Sequence, residues 1–159
     1  MGPKADYSDR ASDDPTDCPY YLISRATLVA TSALKKALAD AGMDQVKPAY
    51  LGALLVLWKG DGLKAVELGR RAGLETSTMT GLLDRMERDS LVRRAADPMD
   101  RRAHNILLTE EGREIQSTVL GIVDRVLSQV FRGISRDELN LASGVLKRVL
   151  ANAQEGNES

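Results

Sequence analysis

Apolar residues recur at helical spacing over most of the chain. Between residues 19 and 41, Leu22, Ala26, Val29, Ala33 and Ala37 alternate four and three apart, with Leu34, Leu38 and Ala41 beside them, which predicts a long helix. Cys18 is its expected N-cap and Pro19 its first residue, where a missing N–H costs no hydrogen bond; Gly42 suits the left-handed position beyond its end. A second helix is expected from about residue 48 to 59, with Leu51, Leu54, Leu55 and Trp58 on one face and Gly60 closing it. Two shorter helices follow. Residues 64–72 turn Val66, Leu68 and Ala72 inward, and residues 76–90 place Met79, Leu82, Leu83 and Met86 at i, i+3, i+4 and i+7. Gly73 breaks the chain between them, giving helix, tight turn, helix.

The period then changes. Residues 91–95 and 104–108 read as short strands, the second with His104, Ile106 and Leu108 on one side, joined by the turn Asp97-Pro98-Met99-Asp100 into a hairpin. Thr109 caps the next helix, and Glu110, Glu111 and Glu114 suit its positive end. An unbroken helix from there to Arg132 would be roughly 36 Å long at about 1.5 Å per residue, more than the compact part of such a domain covers. Its stripe of Ile115, Val119, Ile122 and Val126 is therefore expected to meet another chain. The last helix opens on the capping-box pattern Ser135-Arg136-Asp137-Glu138 and carries Leu139, Ala142, Leu146 and Val149.

Composition narrows the reading. At 159 residues, with 43% hydrophobic and 28% charged, the chain fits one soluble domain with a real core. No apolar run approaches the roughly 18 residues of a membrane helix, the start lacks a signal-peptide pattern, and the cytoplasm is the expected location. Residues 1–17 carry a net charge of −3 and residues 150–159 of −2, so the body between them is +4 although the whole is −1. Residues 1–17 and 154–159 read as solvated tails around a single domain at 18–153. One cysteine, Cys18, and one histidine, His104, exclude an intrachain disulfide, a Cys/His zinc site and any two-His chemistry. No phosphate-binding glycine loop or nucleophile elbow is present, so no catalytic residue, metal or cofactor is expected. Six aromatic residues leave no platform for stacking RNA bases.

Basic residues gather where nucleic acid would need them. The helix at 76–90 exposes Ser77, Thr78, Gly81, Asp84, Arg85 and Arg88 opposite its apolar face. Small hydroxyl residues at a helix start, followed by arginines a turn or two later, suit the DNA major groove. The alternative is a solvated helix in which Asp84, Glu87 and Asp89 pair with Arg85 and Arg88. The hairpin adds Arg93, Arg94, Arg101 and Arg102, a basic tip suited to the minor groove; as a mere device against strand pairing it would need only one or two of them.

The runs Val66-Glu67-Leu68-Gly69-Arg70-Arg71-Ala72-Gly73-Leu74, Ser77-Thr78-Met79-Thr80, Leu83-Asp84-Arg85-Met86-Glu87-Arg88 and Leu91-Val92 resemble the winged helix-turn-helix of the MarR (multiple antibiotic resistance regulator) family. Asp97 to Ala103, followed by Leu107-Leu108-Thr109-Glu110-Glu111-Gly112, is similar to that family's wing signature, and the resemblance spans about Leu22 to Ala151. It implies a mainly α (α+β) fold. The winged helix-turn-helix would occupy 48–108, with its recognition helix at about 76–90 and its wing at about 91–108, between dimerisation helices at 18–42 and 109–153. It further implies a homodimeric DNA-binding regulator, most often a repressor, reading a near-palindrome. Thr76, Ser77, Thr78, Thr80, Gly81 and Arg85 fall on the family's recognition-helix contacts. Arg102 falls on the wing-tip arginine that enters the minor groove, Asp100 on the acid that holds it, and Arg101 beside them as a phosphate contact. Three positions depart from the pattern: Glu75 for a usual N-cap residue, Gly81 for a frequent Arg, and Ser90 for the Gly that ends the helix. Gly81 reads either as close approach to DNA or as a tight contact inside the domain. A winged-helix protein-interaction module that no longer binds DNA is the competing reading.

The resemblance also implies release of DNA by a small aromatic or lipophilic effector or by an oxidant. A family ligand pocket between dimer body and winged domain would bring in Tyr20, Tyr21, Tyr50 and Trp58; the alternative for each is ordinary packing. Cys18, at a helix N-terminus that favours thiolate, resembles the sensing cysteine of the hydroperoxide-responsive branch; the alternative is a bystander beside a tail.

Overall fold

A computed structural model describes residues 14–100 and 103–155. The chain divides into two compact units, one running to Val126 and the other starting at Leu127.

The first described element of the first unit is a 3-10 turn at Pro15–Asp17, followed by α1 (Pro19–Asp40), with Cys18 as N-cap and Pro19 in the first turn. Only Leu34 and Leu38, near its C-terminal end, are buried. Leu22, Ile23, Leu28 and Val29 stay exposed, so the helical spacing is right while most of the apolar face is open among the described residues. The expected helix at 48–59 is shorter: a 3-10 turn at Pro48–Tyr50 leads into α2 (Leu51–Leu57). Its inward face is Ala53, Leu54 and Leu57, whereas Leu55 is exposed.

A two-residue strand, β1 (Leu63–Lys64), precedes α3 (Ala65–Ala72). It takes the start of the helix expected from residue 64, and with it the inward role expected of Val66, which is 65% exposed; Leu68 and Gly69 are the buried residues of α3. Gly73 closes α3 in the left-handed conformation at φ 69°, and the Leu74 amide donates back to the Gly69 carbonyl at 2.8 Å. This tight turn launches α4 (Thr76–Arg88), which buries Met79, Leu82, Leu83 and Met86 as the spacing predicts.

Strands β2 (Val92–Ala96) and β3 (His104–Leu108) pair antiparallel, and β1 adds to the other side of β3 to give the order β1-β3-β2. Ile106 and Leu108 point into the core, but His104 is exposed at the far end of the ladder opposite Ala96.

The expected unbroken helix from Thr109 to Arg132 is two helices, α5 (Glu110–Glu114) and α6 (Gln116–Val130), interrupted at Ile115. Thr109 caps α5 by accepting from the Gly112 amide, while its own amide donates to the Leu91 carbonyl at 3.1 Å. Gly112 lies against that same carbonyl so closely that a Cβ would come within 2.1 Å of it. Short α5 is thereby drawn onto the base of the wing, and the central core claims α6. Ile115, Val119, Ile122 and Val126, expected to meet another chain, are instead buried in a core shared with α1, α2, α4 and the sheet. The stripe was apolar because it packs at home.

The second unit contains the end of α6, a turn with Gly133 at φ 83°, and α7 (Arg136–Glu155). The capping box forms as read: Glu138 accepts from the Ser135 amide at 2.8 Å, and the Glu138 amide donates to Ser135 Oγ. Leu141, Val145, Leu146, Val149 and Leu150 of α7 are all exposed. Among the described residues, no helix is long and apolar enough to cross a membrane.

Candidate nucleic-acid interface

Helix α4 is anchored by one face and presents the other. With its four large apolar residues buried against α3 and the sheet, Thr76, Ser77, Thr78, Thr80 and Arg85 are left exposed and Gly81 half-buried. These are the six positions expected on the recognition helix, gathered on one surface. Glu75 occupies the N-cap without a side-chain capping bond, leaving the first amides of α4 to other partners. Thr80 Oγ1 donates to the Thr76 carbonyl at 3.0 Å. Gly81 makes no tight contact inside the domain: a Cβ there would meet nothing nearer than Arg85 Nη1 at 3.7 Å. Of the two readings left open for Gly81, the internal one falls.

The C-terminal end of α4 is latched. Tyr50, 2% exposed, donates its hydroxyl to Asp89 Oδ2 at 2.7 Å. Burial, reinforced by the Asp89 carboxylate, pushes the Tyr50 hydroxyl up to about 12. Ser90 then takes the left-handed conformation at φ 60° that glycine adopts more cheaply, and its carbonyl accepts from Thr109 Oγ1 at 2.6 Å.

The acids of α4 do not pair with Arg85 and Arg88 as one reading of the helix expected. Asp84 and Glu87 both accept from the Arg94 guanidinium across on β2, at 2.6 Å for Asp84 Oδ1, and Glu87 Oε1 also accepts from the Arg94 amide at 3.1 Å. Burial lowers the pKa of Arg94, but the two carboxylates outweigh it and the net direction is upward. Its neighbour Arg93 lies on the opposite side of the strand and is exposed. The sequence offers nothing to separate Arg94 from Arg93, because strand-to-helix pairing leaves no local spacing to detect. At the turn, Asp97 Oδ1 accepts from the Met99 amide at 2.8 Å, and Lys64 pairs with Asp97 at 3.5 Å. Those bonds, led by the Met99 amide, hold the Asp97 carboxyl below its usual range. Asp100 is exposed beyond them. Arg101 and Arg102, the expected wing-tip contacts, lie outside the described residues.

The four aromatic residues expected around an effector are placed differently from one another. Tyr20 and Tyr21 are exposed on α1, Tyr50 is in the core, and Trp58 is half-buried with its Nε1 donating to the Gly112 carbonyl at 2.8 Å. Trp58 also lines a hollow of about 280 Å³ with Asp61, Leu108, Arg113 and Gln116. A second, more apolar hollow of about 310 Å³ lies between α4 and the sheet, bordered by Val66, Thr80, Leu83, Arg94 and His104. Cys18 is half-buried at the start of α1.

Comparison with known proteins matches residues 50–104 to the model of the MarR family. The HTH-type transcriptional regulator TtmR of Methylorubrum extorquens (strain PA1) is 37% identical over 118 residues, which cover 67% of this chain and 60% of that relative. The chain thus spans less than two thirds of the relative's length. A MarR-family transcriptional regulator from Silicibacter pomeroyi, known as a crystal structure, is 30% identical with a TM-score of 0.63, covering 84% of this chain and 88% of its own. The transcriptional repressor CouR, bound to a 23-mer DNA duplex, superimposes with a TM-score of 0.73 at 24% identity, covering 87% of this chain and 99% of its own, a likeness of fold.

Proposed function

The chain belongs to the MarR family, and on that premise we propose that it is a homodimeric, sequence-specific DNA-binding transcriptional regulator. The observation that carries this reading is the single outward surface on which Thr76, Ser77, Thr78, Thr80, Gly81 and Arg85 of α4 stand beside a winged sheet. In this reading α4 enters the major groove, and Arg85 reads a base edge, a guanine above all, while the hydroxyl residues touch phosphates or bases. Asp100, Arg101 and Arg102 form the wing tip and reach the adjacent minor groove. Two such heads, joined through the exposed apolar faces of the terminal helices, read a near-palindrome in the cytoplasm.

The regulator acts as a repressor, as CouR does on its duplex, and lets go when a small aromatic or lipophilic compound, or an oxidant at Cys18, changes the spacing of the two heads. Tyr20, Tyr21, Tyr50 and Trp58 remain the aromatic candidates for that control. Against the reading of a protein-interaction module stand the partners of the acids: Asp84 and Glu87 share the Arg94 guanidinium, which offsets one of their two charges, and Asp89 accepts from Tyr50, while Arg85 and Arg88 stay exposed on the same helix.

Selection of bound duplexes from a random pool at near-physiological salt tests the proposal. Enrichment of a near-palindrome with half-sites about 34 Å apart is expected, with log affinity falling by about 0.9 per phosphate contact as log salt rises. A pool that stays unenriched at low salt would overturn it.

A further inference from the structure

Arg94 is unlike its exposed neighbour Arg93. Its side chain is 28% exposed, and one guanidinium grips two carboxylates, Asp84 and Glu87, that stand three residues apart on one face of α4. The same Glu87 also takes the Arg94 backbone amide. Strand and helix are therefore joined at three points through one residue, a geometry a flexible single-point ammonium cannot reproduce. Because β2 is laddered to β3 from Val92 through Ala96, fixing Arg94 on α4 fixes the whole hairpin relative to the helix.

We propose that Arg94 is a positioning residue that sets the angle between recognition helix and wing, and so the discrimination between DNA sequences, without itself touching DNA. This rests on the DNA-binding reading above. Two groove-reading elements give specificity only if both fit one duplex together, so a loosened joint lowers specific binding while leaving the phosphate contacts that non-specific binding uses.

The test compares binding of the full chain to its selected duplex and to a scrambled duplex of equal length over a range of salt. The proteins are the parent, Arg94→Lys, and the double variant Asp84→Asn with Glu87→Gln. Arg94→Lys keeps the charge and loses the two-carboxylate grip. It is expected to lower the ratio of specific to non-specific affinity by about tenfold with the salt slope unchanged. The double variant removes two negative charges, so electrostatics alone would tighten binding to any DNA. The joint predicts that the scrambled duplex gains while the ratio falls, and this variant carries the test if Arg94→Lys fails to fold. A flatter slope with equal losses on both duplexes would make Arg94 a phosphate contact and overturn the proposal, as would a ratio held within about twofold in both variants. If the parent prefers no duplex, the DNA-binding reading fails by itself. The joint is then read by hydrogen exchange at the Arg94 amide in Glu87→Ala, which removes its acceptor, expected to be about tenfold faster than in the parent; unchanged exchange overturns it.

Discussion

Two glycines in the same domain have opposite reasons to exist, and the difference predicts opposite mutants. Gly112 has no room for a side chain, since a Cβ would sit 2.1 Å from the Leu91 carbonyl oxygen. Gly112→Ala is expected to cost about 2 kcal/mol or more, because backbone on both sides must move, and urea denaturation reads it directly. Gly81 has room and an ordinary helical backbone, so it weakens α4 by about 1 kcal/mol against alanine with no return inside the chain. Gly81→Ala is expected to raise stability by about that amount while weakening the best DNA site; a gain in stability with affinity untouched would remove Gly81 from the interface. Ser90 is a third case: the sequence shows a serine where glycine is usual, and the chain still adopts φ 60° there, held by the Thr109 bond to its carbonyl.

At the scale of elements, the latch from Tyr50 to Asp89 ties the turn before α2 to the end of α4. A tyrosine whose folded pKa is pushed from 10.0 up to about 12 contributes stability that is fully present below about 10 and is lost as pH rises through about 12. Unfolding free energy is thus expected to fall across that window in the parent and to be flatter there in Tyr50→Phe. In an absorbance titration one of the four tyrosines should ionise late and vanish from the curve in the variant. The elements themselves were legible where the period was long: α1, α4 and α7 follow from helical spacing and caps, and the hairpin from alternation around Asp97-Pro98. Strand β1 was not, because two residues make no pattern and Leu63 is a strand only by pairing with Ile106. The break at Ile115 was hidden for a related reason: the apolar spacing runs through it, and only the demand of Gly112 for contact with Leu91 sets α5 apart. The outward placement of the six α4 positions follows from helical spacing around the buried Met79, Leu82, Leu83 and Met86, but the Arg94 joint does not, since it links residues seven and ten apart across two kinds of structure.

For the molecule as a whole, the question is what covers the apolar surface the chain leaves open. On α7, Leu141, Val145, Leu146, Val149 and Leu150 are between 41% and 70% exposed, and α1 leaves Leu22, Ile23, Leu28 and Val29 similarly bare. Scattered apolar residues on a surface need no explanation, but two helices of 22 and 20 residues whose apolar faces are open along most of their length do. A second copy of the chain is the occupant that the proposed function requires. The double variant Val145→Asp with Val149→Asp adds two charges to an already exposed face, so the fold of the first unit should survive. Sedimentation is expected to show the parent at twice the chain mass and the variant at one. With the two heads no longer linked, affinity for a two-half-site duplex should fall by about 10²-fold or more, because the second head loses its effective concentration, while affinity for a single half-site stays the same. A variant that stays dimeric and binds as the parent does would place the shared surface elsewhere, on α1 alone.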